Sequence, residues 1–190
     1  MEFDTILSIC LGVGLSASVG FRVFLPLFVL SLAAYFDMWQ LNESWQWIGS
    51  TTALITLGVA TFIEIVAYFI PFIDNLLDSI AIPLAGIAGT IIMLSTVANL
   101  DPVITWSLAI IAGGGTAAAI SGTSTTTRLA STATTAGGAN PVVSTLETGV
   151  SLLMSALSIF APILAIILVV IILFIVFKVF KKFKRSRGKA

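Results

Sequence analysis

The sequence predicts an all-α integral membrane protein of about five to six membrane helices, several of them broken by Gly or Pro. Its 190 residues are 58% hydrophobic and only 9% charged, whereas a soluble domain carries about 25% charged residues. With a mean hydropathy of +1.12, the chain has too few charged groups to cover a solvated surface. We therefore expect one polytopic membrane domain over residues 1–177, with candidate halves 1–100 and 101–177, followed by a basic tail over 178–190.

Long uncharged runs mark the predicted helices. About 20 apolar residues cross a bilayer, and helices satisfy their own backbone groups in lipid. The runs are Thr5–Phe21, Val23–Phe36, Ser44–Ile63, Ser79–Leu100, Pro102–Thr127 and Thr148–Phe177. The stretch from Pro141 to Phe177 is too long for one straight span, so it is either a pair of segments bent around Pro162 or a hairpin.

Capping and interface residues predict where helices begin and end. Asp101 before Pro102, and Asn140 before Pro141, each place a capping side chain ahead of a proline at the first helical position. The polar link Asp37–Trp47 carries three tryptophans, which is typical of a membrane–water interface.

Basic residues are concentrated at the C-terminus. Seven of the nine Lys and Arg lie between Lys178 and Lys189, directly after the last apolar run, and such clusters remain on the cytoplasmic side. Near an anionic leaflet they are also expected to bind lipid head groups. The candidate head-group ligands are Lys178, Lys181, Lys182, Lys184 and Arg185. The first apolar run follows two acids and no basic residue, so we expect it to be retained rather than cleaved as a signal peptide.

Small residues recur at a spacing of four in both halves. Residues four apart share one helix face and let helix backbones approach closely, which favours helix association in lipid. The predicted packing positions are Gly12, Gly14, Ser16, Ser18, Gly20, Gly114, Ala118 and Gly122. The alternative is that the glycines let the helices unwind and offer backbone groups to a solute. Each Gly-rich segment leads to a lone arginine, Arg22 or Arg128, which indicates an inverted internal repeat of the kind found in transporters.

Polar and ionisable residues in or beside the apolar runs are the candidate functional residues. A charge at the centre of a membrane helix costs about 2.5–3.5 kcal/mol on insertion scales, so such groups usually face the bundle interior. The candidates for ion pairs or for a polar pathway are Arg22, Glu64, Asp74, Asp78, Arg128, Asn140 and Glu147. As ion pairs, Arg22 would bind Glu64, and Arg128 would bind one of the aspartates. As a pathway, an unpartnered acid such as Glu64 would exchange protons near neutral pH.

Glu147 and the segment around Arg128 each have two interpretations. The sequence STLE, Ser144–Glu147, matches a capping box, although Glu147 could instead join the buried charges. From Ser121 to Thr135, ten of fifteen residues are Ser or Thr. This segment either lies flat at the interface, with its hydroxyls among head groups, or re-enters the bundle and lines a cavity where Arg128 could attract an anion.

Other classes of function lack the residues that they need. Histidine is absent and Cys10 is the only cysteine, which removes His-ligated metals, Ser–His and Cys–His nucleophiles and an intrachain disulfide. Asp74 and Asp78 have no second acidic motif to complete an enzyme site. We therefore expect no enzymatic activity, metal or cofactor, and no nucleic-acid partner.

Three blocks of the sequence resemble a known family. They are GFRVFLPLFVLSLAA (Gly20–Ala34), Glu64 followed by IPFIDNLLD up to Asp78, and RLASTATTAGGANPVVSTLE (Arg128–Glu147). Together they are similar to the signature blocks of a bacterial membrane family known only as a domain of unknown function, of the 4126 type. The resemblance covers nearly the whole chain except the basic tail, although Thr148 stands where the family often has a second acid. It implies a multi-pass protein of the bacterial inner membrane and no particular activity.

The most specific functional hypothesis is a small transporter or channel with a polar pathway lined by buried Arg, Glu and Asp and by Ser and Thr. It would pass a small solute, an ion or a lipid head group. The alternative is a non-transporting scaffold or accessory subunit. Such a protein would assemble through its small-residue faces, for example as a homo-oligomer, and would bind anionic lipid by its basic tail.

Overall fold

The chain is helical throughout the parts that a computed structural model describes, which are residues 2–97 and 100–187. The helices are α1 (Glu2–Val19), α2 (Phe24–Tyr35), α3 (Thr51–Ala67), α4 (Pro71–Thr96), α5 (Pro102–Leu108), α6 (Gly115–Thr135), α7 (Asn140–Phe160) and α8 (Pro162–Arg187). A 3₁₀ segment, Glu43–Gly49, precedes α3, and a π segment, Ala109–Gly114, joins α5 to α6. The predicted all-α class is confirmed for these residues.

Several helices are long and apolar enough to cross a membrane. They are Ile73–Thr96, Pro102–Thr135 and Asn140–Phe160. A fourth span results if the 3₁₀ segment and α3, which meet at 63°, are counted as one broken span. Shorter apolar helices cover Phe3–Val19, Phe24–Tyr35 and Pro162–Lys178. By length and composition, the described residues thus contain three to four candidate spans, and the prediction of five to six depends on the shorter helices.

Contacts between helices show the directions in which several of them run. α1 is antiparallel to α4, because Ser16 Oγ donates to Gly89 O (2.9 Å) while the earlier Gly12 faces the later Met93. Contacts of the same kind make α2 antiparallel to α3, and α4 antiparallel to α6. α1 and α6 therefore run in the same direction. The predicted inverted repeat is wrong for these two Gly-rich segments, because an inverted repeat would orient them oppositely.

The helix directions define two ends of the bundle. At one, which we call the charged end, α1, α3 and α6 finish and α2, α4 and α7 begin. At the other, the tryptophan end, the link between α2 and α3 meets the end of α4, since Asn42 N donates to Ser95 O (2.9 Å). All four tryptophans lie in this link or in α5. The two ends thus differ sharply in their polar residues.

The stretch after Pro141 forms a hairpin. α7 ends at Phe160, α8 begins at Pro162, and α8 returns along α7 until Val176 lines a cavity together with Glu147. α8 continues as a helix to Arg187, so the predicted tail is helical in its described part. Lys178 and Lys181 are exposed. The side chains of Lys182, Lys184 and Arg185 lie outside those that the structure describes.

Of the predicted helix caps, one forms as expected and two do not. Asp101 precedes α5 and accepts from Val103 N (2.9 Å). α7 begins at Asn140 itself, and the residue before it, Ala139, has no capping side chain. The stretch Ser144–Glu147 lies inside α7 and therefore forms no capping box. The side chains of Asn140 and Glu147 instead reach other helices.

The closest backbone crossing joins α4 to the π segment. A Cβ on Gly113 would lie 2.5 Å from Gly89 O, and a Cβ on Gly89 would lie 2.8 Å from Gly113 O. The two backbones are therefore in direct contact, which only glycine permits. Gly114 approaches Gly86 in the next turn, where a Cβ would lie 2.9 Å from Gly86 O. We call this contact the glycine crossing.

The other predicted packing residues also face helices of the same chain. They are Gly12 and Gly14 on α1, Gly20 directly after it, and Ala118 and Gly122 on α6. Ser16 bonds to α4, as described above, whereas Ser18 Oγ donates within its own helix to Gly14 O (3.1 Å). The small-residue face of α1 is thus occupied within one chain.

Candidate functional site

Helices α4, α6 and α7 and the junction between α1 and α2 bring polar and charged side chains together at the charged end. We call these seven residues the charged cluster: Arg22, Asp74, Asp78, Arg128, Asn140, Ser144 and Glu147. Each is at most 8% exposed. The structure therefore brings together six of the seven candidates that were chosen from the sequence, and it adds Ser144.

Glu147 links the two arginines of the cluster. Its Oε2 accepts from Arg22 Nη1 (3.3 Å) and from Arg128 Nη2, while its Oε1 accepts from the Ser124 hydroxyl. A carboxylate that accepts charge-assisted hydrogen bonds from two guanidiniums is strongly held. Glu147 thus bridges the α1–α2 junction and α6.

Arg128 also holds the two acids of α4. Its Nη1 lies 2.5 Å from Asp74 Oδ1, and its Nε lies 3.7 Å from Asp78 Oδ1. The two aspartates are one turn apart, so their carboxylates share one face of the helix. The sequence predicted that Arg128 would bind one aspartate, and the structure shows that it reaches both.

Arg22 is held by α7 rather than by α3. Its Nε donates to Thr148 Oγ1 (3.0 Å), and its Nη2 donates to Ser144 O (2.9 Å). Together with the contact to Glu147, these bonds replace the predicted ion pair with Glu64. Thr148 therefore supplies a hydroxyl to the guanidinium.

Glu64 caps α2 instead of pairing with an arginine. Its Oε1 accepts from Val23 N (2.7 Å), and its Oε2 accepts from Phe24 N (3.0 Å). These N–H groups stand at the start of α2, and the residue at its N-cap, Val23, provides no side-chain acceptor. A carboxylate is favoured at a helix N-terminus by these free donors and by the helix dipole. Glu64 is therefore not an acid without a partner.

Tyr68 packs against both guanidiniums. Its ring centroid lies 4.0 Å from Arg22 Cζ and 4.3 Å from Arg128 Cζ, within the range of cation–π attraction. Its carbonyl accepts from Ser144 Oγ (3.3 Å). Tyr68 is not among the residues predicted from the sequence, because a tyrosine in an apolar run is equally compatible with ordinary packing.

Asn140 ties the start of α7 to α4 and α6. Its Nδ2 donates to Asp74 Oδ2 (2.8 Å) and to Thr132 Oγ1 (3.0 Å). These bonds take the place of the predicted helix cap. Its Oδ1 is buried and has no hydrogen-bond partner within the described parts of the chain.

The hydroxyl-rich segment is part of a long helix. It lies in the candidate span Pro102–Thr135, which is 34 residues long. Many of its hydroxyls bind their own helix, as when Thr126 Oγ1 donates to Gly122 O (2.7 Å). Such bonds satisfy a hydroxyl on an exposed face without water. Neither sequence interpretation describes the whole segment, although Ser124 and Thr127 do line a cavity.

Two cavities flank the charged cluster. A cavity of about 370 Å³ between α6, α7 and α8 reaches Glu147 and Ser124, and one of about 240 Å³ between α2, α3 and α4 reaches Glu64 and Tyr68. Most of their other lining residues are apolar. Over residues 2–97 and 100–187, no three or more Asp, Glu, His or Cys side chains are placed to hold a metal ion.

Several helices of the described residues are long and apolar enough to span a membrane, and the bundle encloses a buried charged network. These are features of a polytopic membrane protein. The chain belongs to the family described as Domain of unknown function (DUF4126), which matches residues 9–182. This match confirms the resemblance found in the three sequence blocks. No curated protein and no solved structure matches the chain.

Proposed function

We propose that the protein is a small membrane transporter or channel whose polar pathway passes through the charged cluster. The observation that carries this proposal is the convergence of two arginines and three acids, from four parts of the chain, at one buried place. A buried ion pair stabilises a protein little more than well-packed apolar residues would. Intramembrane charges that face a bundle interior therefore favour a role in moving a solute or an ion.

The two cavities support a route through the cluster. One ends on Glu147 and the other on Tyr68 and Glu64, so the cluster lies between them. Glu147 bonds to both arginines, and we propose that an exchange of these bonds connects the cavities. Discrete rearrangement of packed elements is the usual way in which such changes occur.

We propose further that five to six segments of the chain cross the bacterial plasma membrane. α1 and α8 are apolar helices that lie beside the long ones and extend between the two ends of the bundle. Added to the three long spans and the broken span, they give six segments. This number requires that helices somewhat shorter than the average bilayer core also cross it.

We place the charged end on the cytoplasmic side. α8 finishes there, and its last turns carry the basic residues, of which Lys178 and Lys181 are exposed. Basic clusters next to a membrane helix remain in the cytoplasm and attract anionic lipids. The cluster would then be the cytoplasmic part of the pathway.

Flux through reconstituted protein tests this function. Purified protein in lipid vesicles should pass small ions or solutes faster than protein-free vesicles do. Glu147→Gln, which removes the charge that bridges both arginines, should lower the flux at least about tenfold, as loss of 1.4 kcal/mol would. Asp101→Asn is the matched control, because Asp101 is an exposed helix cap at the tryptophan end, and this variant should retain the wild-type flux. No flux above that of empty vesicles would overturn the proposal.

A non-transporting scaffold is the alternative, and the extensive bonding of the arginines favours it. Arg22 makes four hydrogen bonds to its surroundings, as expected of a purely structural pair. A homo-oligomer would need faces other than that of α1, which already packs within the chain. If the protein is a scaffold, it should float with vesicles of anionic lipid and should lose this binding when the basic residues after Phe177 are removed. It should also show no flux.

A further inference from the structure

A cavity of about 770 Å³ opens at the tryptophan end, between the end of α2, the link that follows it and the start of α3. Its wall includes the aromatic residues Tyr35 and Trp39, the acid Asp37 and the amides Gln40 and Gln46. Binding sites for small molecules commonly measure about 300–1,000 Å³ and combine aromatic walls with a few polar groups. The cavity lies at the opposite end of the bundle from the charged cluster, which does not account for its composition.

The link that builds this wall is fixed to the rest of the bundle. Asn42 N donates to Ser95 O of α4 (2.9 Å), and Ser31 Oγ of α2 donates to Ile48 O (2.6 Å). Trp39 packs against the buried apolar core. Because these contacts hold the link in place, the cavity exists before a ligand arrives, and binding requires little ordering of the chain.

The charges around this cavity are of one sign. The sequence has no Lys or Arg from residue 23 to 127 or from 129 to 177, so the described basic residues all lie at the charged end. The tryptophan end instead carries the exposed acids Asp37, Glu43 and Asp101. Clustered charges of one sign raise the local concentration of ligands with the opposite charge. A ligand of this cavity is therefore expected to be a cation.

We propose that this cavity binds the alkylammonium group of an organic cation. The Asp37 carboxylate is exposed and forms no ion pair within residues 2–97 and 100–187, so it is available to a cation. Rings such as those of Tyr35 and Trp39 attract ammonium groups through their π-electrons. A metal ion would need several oxygen ligands, and no three acidic, His or Cys side chains of these residues are grouped for one. Soluble amines and phospholipid head groups both contain alkylammonium groups, and the test separates the two sources.

Tryptophan fluorescence of the protein in phosphatidylglycerol nanodiscs tests the site, because this lipid contains no ammonium group. At constant ionic strength, choline chloride should change the fluorescence saturably, whereas dimethylbutanol, its uncharged isostere, should not. Asp37→Asn removes the charge and should need about tenfold more choline, the factor that corresponds to about 1.4 kcal/mol. Asp37 has a φ of 53°, which Asn tolerates as well as Asp does, so this variant should keep the turn after α2. Asp101→Asn is the matched control, because Asp101 is an exposed acid at the same end that does not line the cavity.

An equal response to choline and dimethylbutanol would overturn the proposal, as would an unchanged half-saturating choline concentration in Asp37→Asn. Equal weakening in Asp101→Asn would also overturn it, since the general negative charge of this end would then explain the binding. Nanodiscs that contain phosphatidylcholine identify the source: a higher half-saturating choline concentration there means that the lipid head group occupies the cavity, and an unchanged one means that a soluble amine does. Choline binding without flux would keep this site and remove the transport function, and flux without a choline response would do the reverse.

Discussion

The charged cluster and the glycine crossing are two buried contacts of the same helix, α4, and they are built in opposite ways. At Asp74 and Asp78, α4 meets its neighbours through ion pairs with Arg128. At Gly89 it meets the π segment through bare backbone. Close packing relies on many small dispersion contacts. The cluster relies on a few ionic contacts, and the loss of one partner leaves a buried charge uncompensated. The same helix thus combines a contact that depends on shape with one that depends on charge.

Loss of Arg128 should have the largest effect, because it breaks the cluster and leaves the crossing intact. Arg128→Ala removes the ionic partner of both α4 acids and one of the two ionic partners of Glu147. Breaking one side of a buried ion pair costs about 3–5 kcal/mol, so the variant should unfold at much lower temperature or fail to accumulate. Arg128→Lys, which keeps the charge, should lose less. Wild-type stability for Arg128→Ala in nanodiscs would show that the cluster does not act as a unit.

The converse change breaks the crossing and spares the charges. Gly113→Ala would place a Cβ 2.5 Å from Gly89 O, and overpacking of this kind costs about 1–3 kcal/mol. Thermal unfolding should therefore show a clear but smaller loss than for Arg128→Ala. Gly149→Ala is the control, because nothing lies within 4 Å of a Cβ there. Equal melting of both glycine variants would mean that the backbones can separate without cost.

Sequence patterns identified six of the seven members of the charged cluster but not which of them pair with each other. Hydropathy located the apolar helices, because the need to bury backbone groups in lipid leaves few other structures. The rarity of charges in such runs identified Arg22, Glu64 and Glu147 as candidates. Their partners could not be predicted: 125 residues separate Arg22 from Glu147, and a one-dimensional pattern does not say which helices are neighbours.

The same limit explains what the sequence missed at the crossing. Spacing identified Gly114, but the closest contact is between Gly113 and Gly89. The π segment changes which glycines face α4, since its turns contain more residues than those of an α-helix. A spacing argument that assumes a regular helix cannot anticipate that shift.

Glu64 lies at the charged end but does not belong to the charged cluster. The stability lost on its removal therefore tests whether the cluster ends where its ionic contacts end. Glu64→Ala removes the acceptor for Val23 N and Phe24 N, and loss of a helix cap costs about 0.5–2 kcal/mol. Glu64→Gln keeps one acceptor oxygen and should cost less. Denaturant or thermal unfolding measures both. A loss as large as that of Arg128→Ala would place Glu64 inside the charge network after all.

The smallest effect is expected in the hydroxyl-rich part of α6, which resembles neither region despite its polarity. Thr126→Val removes an exposed hydroxyl whose bond, to Gly122 O at 2.7 Å, lies within its own helix. The carbonyl keeps its backbone hydrogen bond in the helix, so the change in stability should stay within about 0.5 kcal/mol, as for surface substitutions generally. Flux should also be unchanged, whereas Ser124→Ala, which removes a donor to Glu147, should lower it. If Thr126→Val lowered the flux as much as Ser124→Ala, the exposed hydroxyls of α6 would have to contact the solute. Hydrogen bonds to carbonyls of the same helix could then no longer account for the polarity of α6.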